Sequence, residues 1–409
     1  KETNYLDEFD FFSNAFLASQ LEDSYAHDGI GSLPLMKDKS GGWDTSGHRK
    51  RIVRIDMNAL GIIRALSETE TIDINEARFI KPFSVRSLDV FQKMAMSRKL
   101  NSVVETDSSV EPLAAIEWQM SHNWNETTDQ NNGTIKRQTD FRPRKDMIIQ
   151  GPLIYVGNPV YKTARRVCNT HKAFDPIDLT LCPDDYVPRT NYGPAVEEYE
   201  YRRRQTRCQW DPTKTHLDFY RIALRKMVAI NSERSLISAI LPPGVGHIDG
   251  IQSVAFADER NLLDAAGAWC SVVFDFLIKS VGIQNLHDQQ IAGLPWVSAG
   301  MTARHRSLRL ACLTDAYANL WNRHAPSLTP LPWSSDDPRL SLEGPVEGPV
   351  QWDRTAALRT EFARRMALVE IDVLTTQAFG LTLDQLIEIY GIYFPVVQEN
   401  EAGTWYDQN

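Results

Sequence analysis

Residues 161 to 215 show almost no apolar periodicity and are instead rich in Pro, Asp and Arg, as in DPIDLTLCPDDYVPRTNYGPA. Neither the 3.6-residue period of a half-buried helix nor the alternation of a half-buried strand runs through them. The stretch therefore has to be ordered loop, carried on a scaffold that the flanking sequence supplies. With 409 residues, 42% of them apolar and 24% charged, the chain can bury several cores without disulfide or metal staples. That composition excludes a disordered chain, a collagen, a coiled coil and a small disulfide scaffold. No repeat of about 20–50 residues is visible, which excludes solenoids and propellers.

The flanks predict an α+β fold in three segments, within the two to four domains that roughly 100–200 residues per domain would give. Residues 1–110 read as a mixed, mainly helical connector, with helical spacing in NALGIIRALSE (58–68) and SLDVFQKMAMSRKL (87–100). Residues 111–300 read as β-rich with inserted helices: PLAAIEWQM, a hairpin signal at Asn131 to Gly133, and DMIIQGPLIYVGNP, in which LIYVG reads as a strand. A helix-like run, HLDFYRIALRKMVA (216–229), follows, then the buried strands SLISAIL (235–241) and SVAF (253–256), then one long helix over about 259–281. Residues 301–409 read as helical: 302–324 with Thr302 as N-cap, 361–379 closed by Gly380, and 383–390 opened by Thr382 with Gln385 in capping-box spacing. Between them lies a Pro-rich arm (325–352), a linker or a wrapping strap.

No uninterrupted apolar stretch approaches the roughly 18–20 residues of a membrane span, and the strongest candidate, AWCSVVFDFLI (268–278), is short and carries a charge. The opening KETNYLDEFDFF lacks a basic n-region and an apolar h-region, which predicts no secretory leader. Five scattered cysteines argue against a disulfide framework and predict a cytoplasmic setting with no membrane partner.

Charge is unevenly spread. Residues 136–226 hold 18 Lys and Arg against 11 Asp and Glu, a balance of +7 in a chain whose total is −9, so the remainder carries −16. Basic clusters mixed with Tyr, Asn and Thr are what phosphate contact beside base readout requires; a solvated, salt-bridged face has the same composition.

The chain has no G-x-x-x-x-G-K-[ST] loop, no H-E-x-x-H, no G-x-S-x-G and no G-x-G-x-x-G, so nucleotide hydrolysis, zinc proteolysis and serine hydrolysis lack their anchors. Cys168, His171, Cys182 and Cys208 have the chemistry of a zinc site but not its second close pair, and no metal is expected. YVGNPVY (155–161) is close to the N-P-P-Y tetrapeptide of amino-group methyltransferases, with Val160 in place of the second Pro. No Gly-rich turn for S-adenosylmethionine accompanies it, so NPVY reads as a turn after a strand.

Together, the strings WNETTDQNNGTIKRQTDF, YVGNPVYKTARRVCNTHKAFDPIDLT, DDYVPRTNY and INSERSLISAILPPGVGHID resemble the C-terminal half of large bacterial adenine-specific DNA methyltransferases. VVFDFLI, RLACLTDAYANLW and LVEIDVLTTQAFGLTLDQLIEIYGIYFPVVQENEAGTWYD extend that resemblance in order over about 112–409. These are the type IIG-like enzymes, including those of phage-defence islands such as DISARM. The resemblance implies a target recognition domain in 111–300 and a helical region behind it. It implies duplex DNA as partner, alongside a methyltransferase core in the same or a companion chain and other defence-system subunits. S-adenosylmethionine belongs to that parent enzyme and is not expected on this segment alone. Two other readings are a non-catalytic specificity or scaffold subunit that docks a separate methyltransferase, and an enzyme complete in these residues that uses NPVY.

On that reading Arg189, Asn191 and Tyr192 in PRTNY are the candidates for base edges, because Arg suits guanine and Asn suits adenine. Lys162, Arg165 and Arg166 are candidates for phosphates. Arg221 and Arg225, four apart on the expected helix with Lys226 beside them, would present one basic face. Asn231 and Arg234 flank the turn into the buried strand, where Arg234 has the alternative of pairing with Glu233 or another carboxylate.

Overall fold

The computed structural model describes the chain except for residues 1–7, 13–16, 36–37, 39, 41, 68–71, 75, 102–116, 141–142, 171 and 405–409. It is an α+β fold. Its centre is an antiparallel four-stranded sheet in the order Ser238–Leu241, Arg221–Arg225, Ile251–Phe256, Trp118–Met120. A second sheet, mixed and built from shorter strands, runs Gly246–His247, Ile148–Ile149, Tyr192–Pro194, Ile135–Arg137. Two further pairs complete the β-structure of the described residues: Glu8–Phe12 with Ile52–Asp56, and a hairpin of Lys162–Ala164 with Phe174–Pro176.

The run 216–229 is the largest departure from the sequence reading. It forms one turn of 3-10 helix at His216–Asp218 and then a strand, Arg221–Arg225, in which Arg221 to Leu224 are all buried. An interior strand covered on both faces needs no polar side, so the spacing that mimics a helix stripe carries no weight there. The sequence NNG makes no hairpin either. Gly133, at φ 68°, ends the turn after helix Thr128–Asn131, and the next strand, Ile135–Arg137, pairs with Tyr192–Pro194 far along the chain. LIYVG forms no strand, only a bridge between Tyr155 and Asn158.

Helices Met57–Ser67, Val85–Ala95 and Glu361–Ala378 lie where periodicity puts them, and Thr382 with Gln385 caps Leu383–Tyr393 as expected. The expected helix over 259–281 is two, Glu259–Trp269 and Val272–Val281, bent by 70°. At the break Ser271 Oγ accepts from Phe274 N at 3.3 Å and Asp372 Oδ1 accepts from Val272 N at 2.7 Å, so a new helix start is capped twice. The run 302–324 is likewise divided into Gly300–Ala311, a 3-10 turn at Asp315–Tyr317, and Ala318–His324. Thr302 is not its N-cap; its hydroxyl accepts from Leu331 N of the Pro-rich arm. Among the described residues no single helix is long and apolar enough to cross a membrane, and the bent pair that passes by composition is mostly buried in the core.

The largest apolar core draws on residues from Ile63 to Val397 and so crosses both expected segment boundaries. Phe276 stacks on Phe91 at 5.3 Å and meets Tyr393 edge-on at 4.6 Å, joining all three segments. Each such fully buried ring contributes about 1.5–3 kcal/mol. The Pro-rich arm wraps. His305 Nε2 lies 2.9 Å from Glu347 O, Arg306 donates to Leu331 O, and Arg309 donates to Glu343 O and Pro345 O.

Candidate nucleic-acid interface

The hairpin Lys162–Ala164/Phe174–Pro176 carries a connecting tip that is held from the neighbouring sheet. Arg137, on strand Ile135–Arg137, donates from Nη2 to Cys168 O at 2.8 Å, and Thr139 Oγ1 donates to Arg166 O. Arg165 N donates to Ala173 O at 3.0 Å, closing the hairpin. Beneath it, Arg189 N donates to Thr163 Oγ1 and Arg189 Nε to Ala164 O, both at 2.9 Å. A tip built mostly from polar residues is thereby fixed by hydrogen bonds to its carbonyls, with buried Cys168 and Ala173 as apolar anchors.

The cations on this tip differ in what they do. Arg165 is exposed and paired with Asp175 at 2.8 Å, a surface pair that dissociates at little cost. Arg166 and Lys172 are exposed, with no ion-pair partner among the described residues. Lys162 is half-buried, with its ammonium 4.9 Å from the centre of the Tyr161 ring. Of the expected base readers, Arg189 is half-buried and braces the hairpin. Asn191 is 2% exposed, with its Oδ1 facing Arg137 Nε at 3.5 Å, and Tyr192 lies in a small core with Trp124 and Tyr201.

The second expected cluster is interior. Arg221 and Arg225 do share a face, but of a strand. Arg221, with no exposed surface, donates to Ser253 Oγ and Val245 O, and burial pulls its guanidinium down to about 10. Arg225 donates to Gly151 O and Ile154 O. Lys226 is paired with Asp249 at 2.7 Å, and Arg234 is buried, bonded to Asp275 at 2.6 Å and to Cys270 O. These arginines and this lysine hold chain to chain and turn their charged heads away from a ligand. Asn231 alone of the second set is exposed without a bonded side-chain partner.

Around Arg221 the rings of His216 and His247 are fully buried, and burial pushes them down to about 2 and about 3, with Arg221 the next cause in each. His247 Nε2 lies 2.7 Å from Ser253 Oγ, the same hydroxyl that Arg221 contacts. Both rings are neutral at physiological pH.

NPVY is a bend closed by Asn158, without the preceding strand that the sequence predicts, and its parts are occupied. Asn158 Oδ1 accepts from Val160 N at 2.9 Å, and Tyr161 stacks on Tyr155 at 4.8 Å. Pro159 and Val160 line an open cleft of about 30 Å³ with Tyr186 and Tyr317, room for a water. Of the four zinc candidates, Cys168, Cys182 and Cys208 are separately buried thiols, and His171 lies outside the described residues. Among the described residues no group of three or more His, Cys, Asp or Glu is placed to hold a metal.

The sequence reading did not single out Arg137 as the brace, nor Lys172 as a free cation. Arg137 is legible only through the pairing of Ile135–Arg137 with Tyr192–Pro194, which brings it beside the hairpin. Comparison of the chain with protein-family models gave no match, and comparison with curated proteins gave none.

Proposed function

We propose that this chain reads and positions duplex DNA for an adenine-specific (N6) DNA methyltransferase of a restriction-modification or phage-defence system. Methyl transfer belongs to a core in the same or a companion chain, and S-adenosylmethionine is that core's cofactor. One observation carries the DNA-binding part: the braced hairpin tip presents Arg166 and Lys172 unpaired, with Arg165 in a labile surface pair, on a chain of net charge −9. A rigid loop that keeps its cations free suits phosphate contact, which needs charge at a fixed place more than it needs sequence. The assignment to adenine methylation rests on the family resemblance of the sequence. The reading that transfer lies outside these 409 residues is supported by the engaged Asn158 amide oxygen and the stacked Tyr161.

Titrating a labelled duplex at increasing salt tests the reading. Affinity should fall steeply with salt, and Arg165→Glu with Arg166→Glu should abolish it. Affinity insensitive to salt, or surviving that reversal in a folded protein, overturns it. Stoichiometric binding of S-adenosylmethionine by this chain in calorimetry would return the transfer step to NPVY.

A further inference from the structure

We propose that Val167 is a wedge that enters the minor groove of bound DNA and opens a base step, an inference that rests on the DNA-binding reading above. Val167 is 71% exposed on the outgoing limb of the hairpin's connection, between Arg166 and buried Cys168. The backbone on either side of it is held: Arg166 O accepts from Thr139 Oγ1, and Cys168 O accepts from Arg137 Nη2 at 2.8 Å. The backbone there is thus held, and among the described residues most of the side chain is left uncovered, so its apolar surface does little for folding.

The chemistry along this connection selects the occupant. Arg165, in a surface pair with Asp175, and unpaired Arg166 precede Val167, and exposed Lys172 follows on the return limb, so the exposed apolar residue lies in a connection rich in cations. A protein surface offering an apolar pocket rimmed by carboxylates would have to be complementary at every point. The minor groove supplies concentrated negative potential along its whole length, and that potential draws arginine inward. Wedge proteins insert an aliphatic side chain between base pairs in this way and kink the duplex by roughly 20–90°. Valine reaches less far than leucine or phenylalanine, so the kink here belongs near the lower end of that range. Pyrimidine–purine steps unstack most easily and are the steps it would choose.

The test uses the whole chain and a short duplex with a central TA step, labelled at both ends for energy transfer. The protein should bring the ends together, Val167→Ala should bind within about threefold of the same affinity and leave the duplex straight, and Val167→Leu should restore the bend. Because the side chain is exposed, the melting temperature of both variants should match that of the parent, which separates the effect from unfolding. Equal bending by Val167→Ala, or tight binding by the parent without bending, overturns the wedge and leaves the DNA reading intact. Failure of the parent to bind duplex even at low salt overturns the DNA reading, and the wedge falls with it.

Discussion

The hairpin tip around Val167 and the loop around Leu181 hold their backbones by the same device and differ in charge. In each an exposed aliphatic residue, 71% and 77% accessible, is followed by a buried cysteine whose carbonyl accepts from an arginine elsewhere in the chain. Arg137 serves Cys168; Arg354 and Arg359 serve Cys182, and Arg359 also takes the carbonyls of Leu179 and Leu313. Around Val167 the free charges are Arg166 and Lys172, whereas around Leu181 Asp178 and Asp185 are exposed and Asp184 is paired with the bracing Arg354 at 3.1 Å and Arg359 at 3.7 Å. Arginine is suited to this work because its planar fork reaches several carbonyls at once. The lesson is that loop geometry and loop charge are specified by separate residues at Val167, so one can be changed without the other there, whereas at Leu181 Asp184 takes part in both.

The largest effect should come from removing the deeper brace. Arg359→Met strips the carbonyls of Leu179, Leu313 and Arg354 of a charged donor in a site 8% exposed, while Arg354 still serves Cys182, and should lower stability by about 3–5 kcal/mol, read by chemical denaturation. Arg137→Met, whose main bond is the single one to Cys168 O, should cost about 1 kcal/mol. Equal losses would show that the two braces are not ranked by depth.

Charge should then sort the tips by ligand. Arg166→Ala with Lys172→Ala should flatten the salt dependence of duplex binding by about two ions, whereas Asp178→Asn with Asp184→Asn should leave it unchanged. A flattened slope from the aspartate pair would dissolve the distinction. At the neighbouring loop Asn191→Ala should reduce stability by about 1 kcal/mol, since the residue is buried, and leave site preference across a library of single-base variants unchanged. A changed preference in a stably folded variant would restore Asn191 to base readout.

Acid tests whether the tips fail together. His216 and His247 fold with values far below the ordinary 6.5, so their neutral rings stabilise the fold fully above about pH 6.5, and this contribution is lost as pH falls toward about 3. His247→Gln should make the acid limb of the stability profile shallower. The smallest effect is local: burial raises both the Cys168 and the Cys182 thiols, so both should resist alkylation at neutral pH. Arg137→Met should speed labelling of Cys168 alone and Arg359→Met that of Cys182 alone, while mild acid should release the two at one rate on return to neutral pH. Joint labelling in either single variant would mean the loops share one support.

What was legible in the sequence was local. The helix Glu361–Ala378 and the Thr382–Gln385 capping box rest on periodicity and on hydrogen bonds that span three residues. The α+β class followed from the alternation of such signals with short apolar runs. The break at Ser271 was not legible because Asp372, which caps the second helix, stands 100 residues downstream. Arg221 and Arg225 read as surface charge because arginine usually is, but their partners are carbonyls and the Ser253 hydroxyl, distant in sequence, which nothing in the neighbouring residues announces. For Arg234 the alternative of a carboxylate partner was legible, although its identity, Asp275 on helix Val272–Val281, was not. The cluster of Arg165 and Arg166 was picked out by charge alone, while the hairpin that carries it was not legible in a stretch without periodicity.

The contact of Phe276 with both Phe91 and Tyr393 bears on how such a protein can evolve. A recognition module that is traded between enzymes has to carry its own interior, so that cutting it out exposes little apolar surface. Residues 111–300 lack that independence, because their inner helix is sheathed by side chains from before and after them. On the proposed DNA-reading function, new specificity would come by editing the tips, one or two residues at a time. Grafting the middle segment into a foreign host would strand its core.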